Sequence, residues 1–441
     1  MASMTIKCNI SETHTIDKDS AKNEISKNDE DEKHMADEDT AKKFQEYLRK
    51  YDKDDELVIE KIETMNGSKF GDNYMSKLIR IKLIGKQGNG SPYNKTLIWK
   101  KFIDEPAITE KVDLNLFFCQ EQRVYQKILS VLKSFAPDCV HADEKNIIME
   151  DLAQKKYVLC ERRNFLDLKH TVYVLKTLAK FHASALAVKI QNTQLFNEWT
   201  SALKEVIYID DSPSSKMRIY TQKALETTIG YMETILPRTQ ELEDVTEHLK
   251  INVNAYDKMH EIFNAPNHKY HTICHGDPWI NNLLFLHNDE GEIIDLKMLD
   301  YQISRHHSAA TDVLYFIYTS VPISLIEESY ESLIKIYHDE FVGELGRLQV
   351  SEEILTELSL EWLNDELRTF SFYGANTGCY FTDLMFAEEK DALSKIEASR
   401  MHEIKQKKLN RIKRILFHQY RRYVLGIVEK DPKPIFSSQF L

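Results

Sequence analysis

Cysteine is scarce in this 441-residue sequence, and its spacing fits none of the usual structural roles. The six cysteines form no Cys-x-x-Cys pair and no evenly spaced framework. Disulfide-rich domains and structural zinc sites both need such patterns. The sequence therefore predicts a chain without disulfides or structural zinc that works in a reducing compartment.

Long apolar runs and an excess of positive charge are also missing. No stretch of about 18 apolar residues occurs, and the first residues lack the apolar core of a signal peptide. The formal net charge of -12 argues against a broad surface for nucleic acid or an anionic membrane, because both need a basic face. We expect a cytoplasmic protein with no membrane span and no nucleic-acid partner, whose oligomeric state the sequence leaves open.

Residues 1–40 differ in composition from the rest of the chain. They hold eleven Asp and Glu, five Lys and no aromatic residue. Such a segment cannot bury enough apolar surface to offset the entropy lost on ordering. We predict a disordered acidic tail, which is either a solvated spacer or a docking or regulatory arm.

The next part, residues 41–150, is predicted to be a small β-rich lobe. Residues 78–84 and 96–102 have strand-like patterns on either side of a turn at 85–92, and 146–149 indicate another strand. Between them, apolar residues from Leu114 to Ile128 recur at three- and four-residue steps, which predicts one helix.

Residues 151–441 are predicted to be a large, mostly helical lobe. Periodic apolar patterns lie near 194–208, 216–264, 311–346, 351–370 and 383–428, and one β-like island occupies 271–302. The fold class is therefore α+β, with a small β-rich N-lobe and a large helical C-lobe. Such a division predicts a ligand cleft between the lobes.

The strongest chemical signal is the run His275-Gly276-Asp277, followed by Asn282 and, after an apolar strand, by Asp300. Phosphoryl transfer needs a carboxylate that faces the attacking hydroxyl and oxygen ligands that hold Mg²⁺ on the phosphates. Asp277 suits the first role, and Asn282 and Asp300 suit the second. Alone, the first run also fits a polar loop that satisfies turn hydrogen bonds. The later aspartate favours a kinase-like site that uses ATP and Mg²⁺.

Residues upstream follow the same template in order. Gly67, Gly71 and Asn73 lie in a segment between two strands, where backbone N–H groups would cover phosphates or simply form a hairpin turn. The period of two separates Lys100 from Lys101, and we predict that Lys100 faces the phosphates. Glu121 lies on the apolar face of its helix, so we predict that it pairs with Lys100.

Four further residues have weaker signals. Glu150 and Leu152 lie in the segment that would connect the lobes, where backbone groups would bond adenine. Asp312 either caps a helix or braces the catalytic loop. We interpret His275 as a packed support, because Asp277 already occupies the position of the base.

Taken together, these motifs resemble the ecdysteroid kinase-like family, also called CHK kinase-like, within the choline kinase and aminoglycoside phosphotransferase group. The resemblance spans about residues 56 to 320 and rests on Gly71-Asp72-Asn73-Tyr74, Trp99-Lys100, Phe118-x-x-Glu121-x-x-x-Tyr125, Met149 to Leu152, Leu178 to Ala183, His275 to Phe285, and Asp300-Tyr301-Gln302 with Asp312. It implies a protein-kinase-like two-lobe fold and ATP-dependent phosphorylation of a small-molecule hydroxyl.

Within that resemblance, ecdysteroids or related steroids are the favoured acceptors. A kinase of another small alcohol, such as a choline-like compound, a xenobiotic or a glycoside, is an open alternative. An inactive kinase-like binding protein is a further one, although the joint presence of Lys100, Glu121, Asp277, Asn282 and Asp300 argues against it.

Overall fold

The computed structural model describes residues 34–35, 38–66, 76–102, 114–201, 203–210, 212, 214–386 and 398–427. The chain divides into two compact units, the first comprising residues 1–105 and 139–151 and the second residues 106–138 and 152–441. The predicted helix after Leu114 thus belongs to the second unit, and the lobe boundaries at 41–150 and 151–441 stay predictions. The acidic tail lies outside the described residues, except for 34–35 and 38–40.

The first unit is an antiparallel sheet with one helix. Its elements are β1 His34–Met35, α1 Glu38–Asp52, β2 Val58–Asn66, β3 Ser76–Lys86, β4 Pro92–Phe102, β5 Cys139–Ala142 and β6 Asn146–Glu150, in the strand order β1-β2-β3-β4-β6-β5. The two strands and the turn predicted between residues 78 and 102 are confirmed. Ser76 pairs with Phe102 and Lys86 with Pro92, so β3 and β4 align over their full length.

Alternation along the strands builds the core of the first unit. Ile81, Leu83 and Leu97 are fully buried, and they pack with Phe44 and Leu48 of α1. Side chains one position away point to the other sheet face, as the period of two requires. Burial of this apolar surface drives the association of helix and sheet.

The second unit is mostly helical. Its helices are α2 Leu114–Arg123, α3 Leu168–Gln191, α4 Thr193–Thr200, α5 Lys216–Glu233, α6 Gln240–Ile251, α7 Ala255–Asn264, α8 Ala310–Ser320, α9 Ile323–Arg347, α10 Glu352–Glu357, α11 Leu360–Met385 and α12 Ala398–Gln419. Every residue of α8 is buried, so this helix forms the centre of the unit. It packs against α11, while α3 packs against α9.

Short strands interrupt the helices and frame the predicted catalytic loop. They are β7 Val158–Leu159, β8 Thr272–Cys274, β9 Leu283–His287, β10 Ile293–Met298 and β11 Arg305–His307. Strands β10, β9 and β7 form one antiparallel sheet, and β8 pairs with β11. The β-like island predicted at 271–302 is confirmed.

One predicted helix is shorter than expected. The pattern near 194–208 predicts a continuous helix, but α4 ends at Thr200. The Glu205 carboxylate accepts hydrogen bonds from the backbone N–H groups of Ile207 and Tyr208, at 2.8 and 3.0 Å. A side chain that bonds the nearby backbone in this way competes with helix hydrogen bonds.

The sheet-rich and helical units confirm the α+β class. Among the described residues, no helix combines the length and the apolar character that crossing a membrane requires.

Candidate active site

The loop that follows β8 has a backbone shape that its sequence explains. Gly276 has a φ of +89°, a conformation that side chains disfavour. A Cβ atom at this position would lie 2.1 Å from the carbonyl oxygen of Ile303. Only glycine therefore lets the residue before Asp277 approach the segment that leads into β11.

Asp312 holds this loop from the buried helix α8. Its carboxylate accepts the backbone N–H of His275 at 2.6 Å and that of Gly276 at 2.9 Å. The same carboxylate bonds Nε2 of His182 at 3.0 Å. Of the two roles that the sequence left open for Asp312, the structure shows the brace, because its side chain makes no helix-cap hydrogen bond.

The Asp312 carboxylate stays ionised although it is buried, because of these partners. Burial alone would raise the pKa of the Asp312 carboxyl, but the hydrogen bonds from His182 and from the Gly276 N–H hold it below its usual value. An ionised acceptor makes the stronger hydrogen bonds. The loop is thus tied to α8 by charge-assisted bonds.

His275 is a support whose two ring nitrogens are both used. Nδ1 accepts the backbone N–H of Asp277 at 3.2 Å, and Nε2 donates to the carbonyl of Leu299 at 2.9 Å. Burial lowers the pKa of His275, against the opposing charges of Asp312, Asp277 and Asp300. A neutral ring that accepts at one nitrogen and donates at the other fits both contacts.

The carboxylate of Asp277 is held by two side chains. The Tyr315 hydroxyl donates to Oδ1, and Asn282 Nδ2 donates to Oδ2 at 3.0 Å. Asn282 Nδ2 also donates to the backbone carbonyl of Asp277, at 3.0 Å. Asp277, Tyr315 and Asn282 are all buried, so the direction of the carboxylate is fixed by contacts inside the protein.

The backbone also brings Asp300 beside Asn282. The N–H of Leu299 donates to the carbonyl of Asn282 at 2.9 Å, so the end of β10 is bonded to the catalytic loop. Asp300 has a φ of +67°, which is uncommon for a residue other than glycine and often marks a functional position. Its carboxylate accepts from Gln302 at 3.3 Å.

These donors fit a hard cation. Asn282 uses Nδ2 toward Asp277, which leaves Oδ1 as the amide atom that can face a metal. Asp300 adds carboxylate oxygens, and Mg²⁺ prefers oxygen ligands of this kind. Asp277, Asn282 and Asp300, predicted from spacing, are therefore brought together within the second unit.

The other predicted site residues divide between the two units. Lys100 lies on β4 of the first unit and is 6% exposed, whereas Lys101 is exposed. Glu121 lies on α2 of the second unit and is 1% exposed. Their proposed pairing therefore joins two units and stays a prediction.

The remaining predicted nucleotide contacts have different outcomes. Glu150 ends β6 in the first unit and is half-buried, while Leu152 starts a short helical turn of the second unit and is buried. Gly67, Gly71 and Asn73 lie outside the described residues. The adenine and phosphate roles of all five stay predictions.

A buried trio beside the loop resembles a metal site in composition. The polar atoms of His182, Cys274 and Asp312 lie within 4.8 Å of one another. However, the two ring nitrogens of His182 already bond Asp312 and Tyr337. Burial raises the pKa of the Cys274 thiol, which donates to backbone carbonyls and is no thiolate ligand. The trio is a hydrogen-bonded support.

Sequence reasoning missed Tyr315 and Gln120. Tyr315 follows Asp312 by three residues, so both lie on one face of α8, and that spacing was a usable signal. Gln120 bonds the backbone of Lys204 and the carbonyl of Ser304, between elements far apart in sequence. No local pattern indicates a contact of that kind.

The family model for the ecdysteroid kinase-like family matches residues 70–350, which is more than half of the chain. The chain belongs to the ecdysteroid kinase-like family. This membership confirms the resemblance and the prediction that the chain is an enzyme of the small-molecule kinase class. No curated protein matches the sequence.

Similarity to solved structures is low in sequence. An ethanolamine kinase from Plasmodium vivax shares 14% identity at a TM-score of 0.40, covering 79% of this chain and 81% of its own. A macrolide 2'-phosphotransferase from Brachybacterium faecium shares 12% at 0.34, covering 80% and 99%. An aminoglycoside phosphotransferase from Alicyclobacillus acidocaldarius shares 11% at 0.33, covering 78% and 90%. Similarities this low support no conclusion about the function of the present protein.

Proposed function

We propose that this ecdysteroid kinase-like protein transfers the γ-phosphoryl group of ATP to a hydroxyl of a small molecule, with Mg²⁺ as the metal. The observation that carries the proposal is the convergence of three residues: Asn282 bonds the Asp277 carboxylate, and its backbone carbonyl accepts from Leu299, the residue before Asp300. Family membership supports the same reaction class. A cytoplasmic setting, where Mg-ATP is available, is part of the proposal.

In this proposal the three residues have separate roles. Asp277 accepts the proton of the attacking hydroxyl as the oxygen bonds phosphorus, and ADP leaves with the electron pair of the broken bond. Asn282 and Asp300 would hold Mg²⁺, which neutralises charge on the phosphates. The products are a phosphate monoester of the acceptor, ADP and a proton.

The fixed direction of the Asp277 carboxylate supports its role as the base. Tyr315 donates to one carboxylate oxygen and Asn282 to the other, so both oxygens are held in place. Positioning of this kind supplies most of the catalysis in phosphoryl transfer.

The proposed nucleotide contacts come from both units. Lys100 would face the phosphates and pair with Glu121, while backbone groups near Glu150 and Leu152 would bond adenine. Residues Gly67, Gly71 and Asn73 would cover the phosphates. Replacing Lys100, Glu121 or both by alanine tests the pairing, because residues that act as a unit give strongly non-additive losses. Fully additive losses would show that the two do not cooperate.

An ecdysteroid or related steroid is the acceptor that we favour. Aromatic rings surround the catalytic loop in the second unit: Trp279 packs on Phe381 at 4.9 Å between centroids, and Tyr315 packs on Phe381 at 5.2 Å. These rings are buried against one another, so the support for a steroid acceptor is family membership. The alternatives are a choline-like alcohol, a xenobiotic or a glycoside.

An ATP-consumption screen against ecdysteroids, other steroids, choline and plant alcohols tests the proposal directly. We expect ADP release that depends on an acceptor and on Mg²⁺, with a phosphate adduct found by mass spectrometry. Asp277→Asn is the matched control, because it keeps the shape of the side chain and removes the base. Turnover that persists in excess EDTA, or in Asp277→Asn, would contradict the assignment. An inactive binding protein would show acceptor binding without ADP release.

A further inference from the structure

A polar recess apart from the proposed active site lies in the helical unit. It is a cavity of about 420 Å³ between α4, the segment after it, the end of α7 and β11. Asn197, Lys204, Glu205, Asn264, Arg305 and His307 are among the residues that line it. None of the lining residues belongs to the Asp277, Asn282 and Asp300 group, so the recess is separate from the proposed active site.

The guanidinium of Arg305 is buried in this recess without enough hydrogen-bond partners. Arg305 is 6% exposed, and its Nε and Nη1 atoms have no hydrogen-bond partner. The carboxylate of Glu205 lies 3.4 Å from Nε, and the ring of Phe263 lies 4.3 Å from the guanidinium carbon. Buried donors without partners are costly, so a native protein that keeps them has a reason to do so.

The charges around the recess favour an anion. Burial alone would lower the pKa of Arg305, but Glu205 keeps it raised, so Arg305 remains charged. Burial also lowers the pKa of Lys189, to about 8, and its Nζ lies 3.3 Å from His306, a lining residue. Among the lining residues, Lys204 and Arg305 are cationic and Glu205 is the single carboxylate.

The histidines of the recess do not add to this charge at neutral pH. Burial and the charge of Lys189 lower the pKa of His306 to about 4, and burial and the charge of Arg305 do the same for His307. Nε2 of His307 bonds the carbonyl of Ile262, and Nδ1 is buried without a partner. The recess therefore combines cations with neutral polar groups in a protein of net charge -12.

We propose that this recess binds a small oxyanion, a phosphate or a carboxylate group, through the guanidinium of Arg305. A planar guanidinium with free N–H groups matches the oxygens of both groups. Glu205 forms an ion pair with Arg305 but no hydrogen bond: its Oε1 accepts two backbone N–H groups, and its Oε2 lies 3.4 Å from Nε, which has no hydrogen-bond partner. The site does not depend on the kinase reaction proposed above.

Calorimetry with sulfate, inorganic phosphate and malonate at constant ionic strength tests the site. We expect saturable binding to the full-length protein, repeated in the presence of ADP and Mg²⁺ so that binding at a nucleotide site is excluded. Arg305→Lys keeps the charge and removes the planar fork, and the double variant R305M/E205Q removes both partners of the pair together. Each should weaken binding about ten- to hundredfold. Arg368→Met, at an exposed arginine paired with Asp365, is the matched control and should bind as the wild type does.

One variant tests the recess without touching a buried charge. Asn197 is an exposed lining residue on α4, so Asn197→Tyr should fold normally and block the opening. We expect loss of anion binding with an unchanged melting temperature. Tighter binding of phosphate than malonate would assign a phosphate group, and the reverse would assign a carboxylate. Absence of saturable binding to the wild type, or equal binding to all variants, would overturn the proposal and leave a recess that holds only water.

Discussion

Two buried polar regions of the helical unit, the loop that follows β8 and the recess lined by β11, differ in how completely their hydrogen bonds are made. Around the loop after β8, the side chains of Asp312, His275, Asp277 and Asn282 bond one another or the backbone. In the recess, the buried nitrogens of Arg305 lack partners. A satisfied network fixes a geometry before any ligand arrives, whereas an unsatisfied one leaves buried donors that a ligand can bond.

Breaking the catalytic loop should have the largest effect. Gly276→Ala puts a Cβ atom 2.1 Å from the Ile303 carbonyl at a positive φ, so the loop must move. We expect a loss of about 3 kcal/mol in unfolding free energy. Displacing Asp277 by about 1 Å should also lower turnover about a hundredfold. Urea unfolding and steady-state kinetics measure the two effects.

Gly291→Ala is the control for that variant. Gly291 also has a positive φ, of +79°, but no atom lies within 4 Å of an added Cβ. It should lose about 1 kcal/mol, from the backbone conformation alone, and keep full turnover. Equal losses in the two variants would mean that the contact with Ile303 is unimportant.

Acid should lower the free energy of unfolding, because buried histidines are neutral in the folded protein. The folded-state pKa of His307 is lowered to about 4 from an ordinary value of 6.5. Between these pH values the unfolded chain binds a proton that the folded chain does not. The free energy of unfolding is therefore highest above pH 6.5 and decreases as the pH falls toward 4. Each such histidine contributes a slope of up to about 1.4 kcal/mol per pH unit.

Urea unfolding at pH 7, 6 and 5 measures this slope. His307→Gln should reduce this slope by the contribution of about one proton. His402→Gln, at an exposed histidine, should leave the slope unchanged. Arg305, His306 and Asp312 also act on the charge of His307, so an anion bound beside Arg305 should lessen the acid loss. An unchanged slope in His307→Gln would show that this histidine is protonated in the folded protein.

The smallest effect should come from one hydroxyl of the satisfied network. Tyr315→Phe removes the hydrogen bond to Asp277 Oδ1. We expect turnover to fall about tenfold because the base is less well oriented, with the KM for ATP unchanged. Unfolding free energy should fall by about 1 kcal/mol.

Tyr318→Phe separates positioning from packing. Tyr318 is a buried tyrosine of the same helix, and its hydroxyl bonds His418 at 2.9 Å, away from Asp277. Tyr318→Phe should lower the free energy of unfolding by an amount similar to that of Tyr315→Phe, and it should leave turnover unchanged. If the Tyr315 and Tyr318 variants lost turnover equally, the Tyr315 hydroxyl would have no special role.

Local sequence patterns predicted much of this molecule. The period of two located β3 and β4, and the spacing from His275 to Asn282 and Asp300 located residues that the fold brings together. Both succeed because strand alternation and a short loop are local properties of the chain. Helix ends were less predictable: α4 ends at Thr200, and in the segment beyond it Glu205 bonds the backbone of Ile207 and Tyr208.

The recess could not be predicted for a different reason. Its walls come from α4, α7 and β11, which are more than a hundred residues apart at the extremes. The missing partners of Arg305 depend on where Glu205 is held, which no local pattern encodes. These residues come together only when elements distant in sequence pack against one another.

Calorimetry of Mg-ATP binding to Asp277→Asn and Asp300→Asn, beside their turnover with an identified acceptor, tests the central claim most directly. Asp277→Asn should bind Mg-ATP within a few-fold of the wild type, while turnover falls by about 10²–10⁴. Asp300→Asn should lose both binding and turnover, because a charged metal ligand is removed. If Asp277→Asn abolished nucleotide binding while Asp300→Asn bound normally, the assignment of base and metal ligand would be reversed.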